Sequence, residues 1–550
     1  MALDIPRASP SLSPGVDRNV NILPESSAQP DPAPVRSLLD TDLYKLTMQQ
    51  AVLRHYPAVD VAYKFTNRTP AMLFTRRAVD VIRRHVARLS CLALTPDERA
   101  WLEVNCPYLD RQYLDFLQRF RFDPDSQVEV SFQPVSPSKQ GRGEGEAAAE
   151  ANDEKGQLGI KIRGRWLDVI LYEVPLMAIV SEVYFGVVDT QWSLAGQYRN
   201  AFDKATRLVG AGIRFSEFGT RRRRSYETHR IVLDAMVEAD RQPVLPSFSS
   251  SSSSSSAGKV DGNGNGNGNG ESSWHASSVQ RGKLLGTSNV HFAMLFNLVP
   301  IGTVAHEWTM AVAALEGYSS VNLKALKLWD SVYSPPGFTP NSPTHDLTIA
   351  LTDTFSTDVF WSDLLSSVDG EGREIARRWR GLRQDSGDSK AFALKATQVY
   401  KQLGIDPLSK VVVYSDALTV QRCIDLAAYS THIGIGAGFG IGTNLTNDFR
   451  RTKSRSETEN PESNPRSEID IKSSPFDTCP AGTDTVEKSQ PLNIVIKLDS
   501  VAGQPVVKIS DDLTKNTGDP EQVKAVKRRF GIPLSLDNGN EDHNEHVEYA

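Results

Sequence analysis

Six side chains able to hold charge or move a proton each follow a short apolar run: Arg221, His306, Asp353, Arg383, Asp385 and Asp416. The runs read EFGTR (Glu217–Arg221), PIGTVAHE (Pro300–Glu307), IALTDT (Ile349–Thr354), GLRQDSGD (Gly381–Asp388) and VVVYSD (Val411–Asp416). Two more, GTSN (Gly286–Asn289) and FGIGT (Phe439–Thr443), end in small and hydroxylated residues. Arginine offers a planar fork to carboxylate or phosphate. Carboxylates hold ribose hydroxyls or a magnesium ion bridging a pyrophosphate. Glycines let backbone N–H groups approach a phosphate. Together these are the means to handle a polyanionic, metal-bound sugar phosphate.

Each motif has a plainer reading. D-S-G-D with Asp385 and Asp388 is an ordinary solvated turn when met alone, but acids recur at several other run ends. His306 in AHEW is a single histidine, a type more often structural. Its place after an apolar run, beside Glu307, suits an acid/base or a nucleophile toward phosphorus, with Glu307 as orienter. HEWTM lacks the second histidine of a zinc HExxH motif. Arg221–Arg224 reads equally as a solvated or targeting run and as one working arginine, Arg221, with three neighbours. In GAGFGIGT (Gly436–Thr443) no start position gives the dinucleotide spacing G-x-G-x-x-G, so a phosphate site before a helix is the better reading.

These residues must be positioned by elements that end on one side of the molecule. From about Ile170 onward, short strands alternate with helical patterns such as Ser389–Leu403 and Leu418–Ala428, the signature of parallel α/β units. In a barrel of such units the functional groups gather at the strand C-termini. Upstream, Asp40–Tyr56, Val79–Leu89 and Asp110–Phe120 have helical spacing and Val61–Asn67 alternates like a strand. The fold class predicted is α/β, an irregular TIM-like α/β barrel with an N-terminal α+β domain and long disordered insertions. The domains expected are a tail over 1–36, an N-terminal domain over 37–169 with an insertion at 133–158, and a barrel over 170–491. Barrel insertions are expected at 242–280, with eight consecutive serines (Ser249–Ser256), and at 451–490. A segment over 492–535, with the apolar runs Asn493–Leu498 and Val506–Ser510, is expected to pack on the N-terminal domain, before a tail over 536–550.

The chain has 550 residues, a formal net charge of -6 and 23% charged residues. That charge argues against nucleic acid or an anionic membrane as partner of the whole protein. Four cysteines (Cys91, Cys106, Cys423 and Cys479) show no metal-ligand spacing, which suits a reducing compartment. No membrane span is expected, because no run of about 18 apolar residues is apparent.

Taken together the motifs resemble the nicotinate phosphoribosyltransferase family. The carriers are TDLYKLTM (Thr41–Met48), FGTRRR (Phe218–Arg223), GTSNV (Gly286–Val290), GTVAHEW (Gly302–Trp308), LTDTF (Leu351–Phe355), GLRQDSGD, YSDAL (Tyr414–Leu418), FGIGTNLTND (Phe439–Asp448) and LNIVIKL (Leu492–Leu498). The resemblance runs from about Leu38 to Pro533. It implies an ATP-coupled enzyme of NAD salvage joining nicotinate to phosphoribosyl pyrophosphate, with magnesium, a phosphohistidine at His306 and a homodimer; a cytoplasmic location is expected, with nuclear entry left open by the arginine run. It places Tyr44 of the partner subunit, Phe218, Arg221, Ser288, Thr303 and Arg383 around nicotinate. Asp353, Asp385 and Asp416 would face ribose or pyrophosphate, with metal contact through Asp353 and Asp385. Gly440, Gly442 and Thr443 would hold the ribose phosphate. A nicotinamide-specific relative and a non-catalytic regulatory barrel are the alternatives. Ser288 weighs against the first, since an acid is expected there.

Overall fold

The computed structural model describes residues 32–135, 153–242, 281–334, 337–366, 370–451, 487–512 and 515–534. The serine tract, most of the three expected insertions, the last tail and Cys479 lie outside these residues. The insertion edges differ from expectation. Gln133 and Pro134 end β3, and Lys155–Leu158 open β4, so both strands run into the stretch read as an insertion. Their backbone groups are paired across the ladder, which offsets the polar composition that suggested a loop. Val35, within the expected tail, is likewise buried.

The N-terminal strands β1 (Asp60–Asn67), β2 (Phe74–Thr75), β3 (Val128–Pro134) and β4 (Lys155–Arg165) form antiparallel ladders. Seven parallel strands follow: β5 (Arg214–Glu217), β6 (Lys283–Thr287), β7 (Val299–Pro300), β8 (Ile349–Leu351), β9 (Gly381–Gln384), β10 (Val411–Tyr414) and β11 (Gly436–Ile441). Their order is β7-β6-β5-β11-β10-β9-β8. Among the described residues no ladder joins β7 to β8, so the wall is a curled, incomplete barrel. β12 (Phe449–Arg450) and β13 (Lys488–Ser489) pair with each other at the edges of the third expected insertion. β14 (Ile494–Val501) then returns to pair with β1, and β15 (Gln504–Pro505) extends that sheet.

Past β15 the chain crosses to the barrel rim. Phe355 and Ile509 form a parallel bridge, with Ile509 N donating to Thr354 O at 2.7 Å and Ser356 N to Ile509 O at 3.0 Å. The run Val506–Ser510, apolar except for Lys508 and Ser510, thus lies against the end of β8.

The helix Leu43–His55 buries Leu43, Leu46 and Ala51 and sets the residues before it against the rim. Asp42 occupies its N-cap position, where its backbone carbonyl accepts from Lys45 N but its side chain makes no cap bond; its carboxylate goes to Ser288 instead. The helix Ser389–Gln402 is capped by Asp388, which accepts from Lys390 N and Ala391 N. Asp388 therefore serves the helix and not the site. One continuous helical run, Trp166–Val188, is long and apolar enough by composition to cross a membrane, contrary to expectation, with a mean hydropathy of 1.5. Its residues are 89% buried in the molecule, and it packs as a core element.

Candidate active site

The seven motifs fall at the C-terminal ends of the seven parallel strands. β5 delivers Phe218 and the turn Thr220–Arg222, β6 Ser288, β7 Thr303 and His306, and β8 Asp353. β9 carries Arg383 and Asp385, β10 Ser415 and Asp416, and β11 Gly442 and Thr443. Parallel register from strand to strand, with neighbours on both sides for all but the edge strands β7 and β8, aligns these ends, so residues distant in sequence share one rim.

His306 is 6% exposed and sits in a cluster of acids. Its Nε2 lies 3.2 Å from Asp385 Oδ2 and 3.7 Å from Asp353 Oδ1, while Nδ1 lies 3.1 Å from Thr354 Oγ1. Burial, with Lys508 close by, lowers its pKa to about 4 against the pull of the two carboxylates. The imidazole is neutral near pH 7. We assign its proton to Nε2, where a carboxylate accepts it, which leaves the Nδ1 lone pair toward Thr354.

Asp353 Oδ2 accepts from Ser386 Oγ at 2.5 Å and Ser510 Oγ at 3.3 Å, and Lys508 Nζ lies 3.5 Å away. Burial works against its charge, but His306 and Lys508 hold its pKa below the usual value. Its Oδ1 is buried with no hydrogen-bond donor. Asp385 is likewise desolvated, yet Arg383 and His306 hold it well below the usual carboxylate range. One ligand atom each from His306, Asp353 and Asp385 lies within 4.8 Å of the others. The orphaned Asp353 oxygen and its hard-oxygen neighbour suit a divalent cation.

Arg383 is held on three sides. It donates to Ser415 Oγ at 2.8 Å, Thr303 Oγ1 at 3.0 Å and Asp385 Oδ1 at 2.9 Å. Asp416 pairs with Lys515 at 2.7 Å. Across the rim, Arg221 lies 3.3 Å from Glu173 and 3.7 Å from Asp42, with its guanidinium 5.8 Å from the Tyr44 ring centre. Ser288 Oγ donates to Asp42 Oδ1 at 2.7 Å. Burial raises the Asp42 pKa despite Arg221 and Ser288. The Phe218 ring packs over Gly440, where any Cβ would collide with it.

Within the chain Tyr44 lies beside Arg221, and its hydroxyl lies 3.2 Å from Glu173. One expectation changes. Glu307 does not orient His306. The helix turns its carboxylate the other way, to accept from Lys45 at 2.6 Å, Tyr63 at 2.6 Å and Trp166 at 2.7 Å. Of the arginine run only Arg221 has its guanidinium at this cluster. Arg222 donates to Ile494 O, Arg223 forks onto Asp40, and Arg224 stacks on Phe185 with its charge buried.

Sequence reading missed Lys508, Ser510, Ser415 and Glu173. The available signal was a lysine interrupting the apolar run Val506–Ile509, and a glutamate opening an apolar helix.

Two family models cover most of this frame. One, described as the Nicotinate phosphoribosyltransferase (NAPRTase) family, matches residues 213–472 and 479–534, and its N-terminal domain model matches 39–181. The chain belongs to the nicotinate phosphoribosyltransferase family. A "Probable nicotinate phosphoribosyltransferase" of Schizosaccharomyces pombe is 39% identical over 506 residues, 92% of this chain and 100% of that protein. The nicotinate phosphoribosyltransferase of Saccharomyces cerevisiae is 34% identical, over 92% of this chain and 98% of its own. A solved nicotinate phosphoribosyltransferase from Porphyromonas gingivalis superposes with a TM-score of 0.66 at 29% identity, over 90% of this chain and 100% of that one. The family's fold is the one described here, and its matched residues include every rim motif.

Proposed function

We propose that this chain transfers the phosphoribosyl group of phosphoribosyl pyrophosphate to the ring nitrogen of nicotinate, releasing pyrophosphate and forming nicotinate mononucleotide. The family membership supports the reaction. The observation that carries it is the division of one rim into two chemically distinct ends. At one end Arg221 offers a cation 5.8 Å from the Tyr44 ring, with the Phe218 ring over Gly440 at the end of the neighbouring strand, which suits a planar aromatic acid. At the other, Asp353 and Asp385 stand beside Lys508 and beside Arg383, expected at nicotinate but held by Asp385 and Ser415, and this end suits a sugar pyrophosphate.

The pyridine nitrogen displaces pyrophosphate at the anomeric carbon, so no protein nucleophile for carbon is required. The carboxylates favour positive charge building on the ribosyl group, and Arg383 with Lys508 favours the departing anion. Asp353 and Asp385 would hold magnesium, which when bound neutralises pyrophosphate oxygens. Gly440, Gly442, Thr443 and Asp416 are read as contacts of the ribose phosphate end. His306, neutral and with Nδ1 unprotonated, is suited to attack the terminal phosphorus of ATP, forming an N–P bond as ADP leaves. The phosphohistidine would couple hydrolysis to synthesis by adding charge beside the sugar site.

Turnover of nicotinate with phosphoribosyl pyrophosphate, with and without ATP, tests the reading through the nicotinate mononucleotide formed. A chain that makes none, or that prefers nicotinamide in equimolar competition, overturns it. Ser288 favours the acid over the amide, because a carboxylate at that position would repel the substrate's own.

A further inference from the structure

Behind the nicotinate end lies a closed ring of buried polar groups that no step above uses. Glu217 Oε2 meets His229 Nε2 at 2.7 Å and accepts from Thr287 Oγ1 at 2.6 Å. Thr287 Oγ1 in turn accepts from Asn289 N at 3.1 Å, and Asn289 Nδ2 donates to Asp40 Oδ1 at 2.8 Å. Arg223 forks onto both Asp40 oxygens at 2.8 Å, and its Nη1 closes the circle at 3.5 Å from His229 Nδ1. All six side chains are at most 1% exposed. Polar networks this deep are costly unless fully connected.

Five of the six members sit one or two residues from a group facing the site, and His229 joins them from the helix Tyr226–Arg241. Thr287 and Asn289 flank Ser288, Asp40 precedes Asp42, Arg223 follows Arg221, and Glu217 precedes Phe218. The backbone ties the same three segments together: Ser288 N donates to Glu217 O, and Leu43 N to Ser288 O, both at 2.8 Å. The ring therefore fixes how far Arg221 stands from Asp42. That distance matters, because the guanidinium already reaches Glu173 at 3.3 Å but stands 3.7 Å from Asp42, near the second acid and not closed onto it. A small slack in the frame lets Arg221 close onto Asp42 as well, leaving too little charge for a substrate carboxylate.

We infer that the ring Glu217–His229–Arg223–Asp40–Asn289–Thr287 is a positioning device that keeps Arg221 available and so sets the preference for an acid over a neutral amide. The inference rests on the function proposed above. Asp40→Asn would strand a buried guanidinium and threatens folding, so Thr287→Val is the informative change: it keeps the branched shape and removes only the bridging hydroxyl. It should raise KM for nicotinate about tenfold and lower the nicotinate-to-nicotinamide preference by a similar factor. The KM for phosphoribosyl pyrophosphate and the melting temperature should hardly move, and Thr287→Ser should restore the original values.

A purely structural ring would not respond to the next variant. In an Asp42→Asn background the acid that traps Arg221 is gone, and the Thr287→Val defect should shrink to about twofold or less. A folded Thr287→Val enzyme with unchanged preference, an equal loss for both substrates, or no suppression by Asp42→Asn would overturn the inference. Should Thr287→Val not fold, His229→Gln reads the ring from its other side; failure of both to fold would assign it to stability alone. An unmodified chain that turns over no nicotinate would sink the functional reading instead.

Discussion

His306 owes its neutrality to burial and to the Lys508 ammonium, and this has a measurable cost. Its pKa of about 4 in the fold lies below the value of 6.5 expected in the unfolded chain. Between those values the unfolded chain binds the proton that the fold refuses, so on this group's account stability rises with pH from about 4 to 6.5 and levels off above. Thermal melts of His306→Asn should be less pH-dependent than those of the parent in that window. His306→Ala should also lose ATP stimulation while keeping slow ATP-independent turnover, checked by product formation with and without ATP; unchanged coupling would refute the role. Glu307, by contrast, belongs to the core. Glu307→Gln removes one of two carboxylates from a buried lysine and should cost about 3 kcal/mol in denaturant unfolding. These adjacent residues show where residue-level reading stops. Their types announced acid/base chemistry, but only the helical turn, which aims one inward and the other at Trp166, separates site from scaffold.

Elements were the most legible level of this chain. Alternation of apolar runs with helical spacing located all seven parallel strands, because each ends where burial gives way to a charge or a hydroxyl. The edges of the polar stretches were not legible, since β3 and β4 are held there by ladder hydrogen bonds that composition does not encode. The segment after β15 was legible as apolar, yet nothing local in it indicates that Ile509 would bridge to Phe355 and carry Lys508 to Asp353. Lys508→Met should therefore raise KM for phosphoribosyl pyrophosphate more than KM for nicotinate, by about tenfold against little change, in steady-state assays varying each substrate. The β11 end serves both substrates. Gly440→Ala pushes a methyl group into the Phe218 ring at a position read as a ribose phosphate contact, and should raise KM for both substrates in the same assays.

At the scale of the whole molecule, Tyr44, Arg221, His306 and Asp385 lie along one rim of a single chain. The expected homodimer would add the partner's tyrosine to that rim, so specific activity should fall on dilution in step with dimer dissociation seen by light scattering. Activity that stays constant through dissociation would show that one chain suffices. The overall barrel was foreseeable from the alternation of strands and helices, whereas the gap between β7 and β8 among the described residues was not, because an apolar run marks a strand without saying which neighbour it pairs with. The pairing of β1 with β14 has a further consequence for how such a chain is made. At roughly 5–20 residues per second of synthesis, β1 leaves the ribosome on the order of half a minute before its partner exists. During that wait one of its hydrogen-bonding edges stays bare and open to other nascent chains. Yield of soluble protein should thus respond to chaperone supply and elongation speed more than to the equilibrium stability of the finished fold.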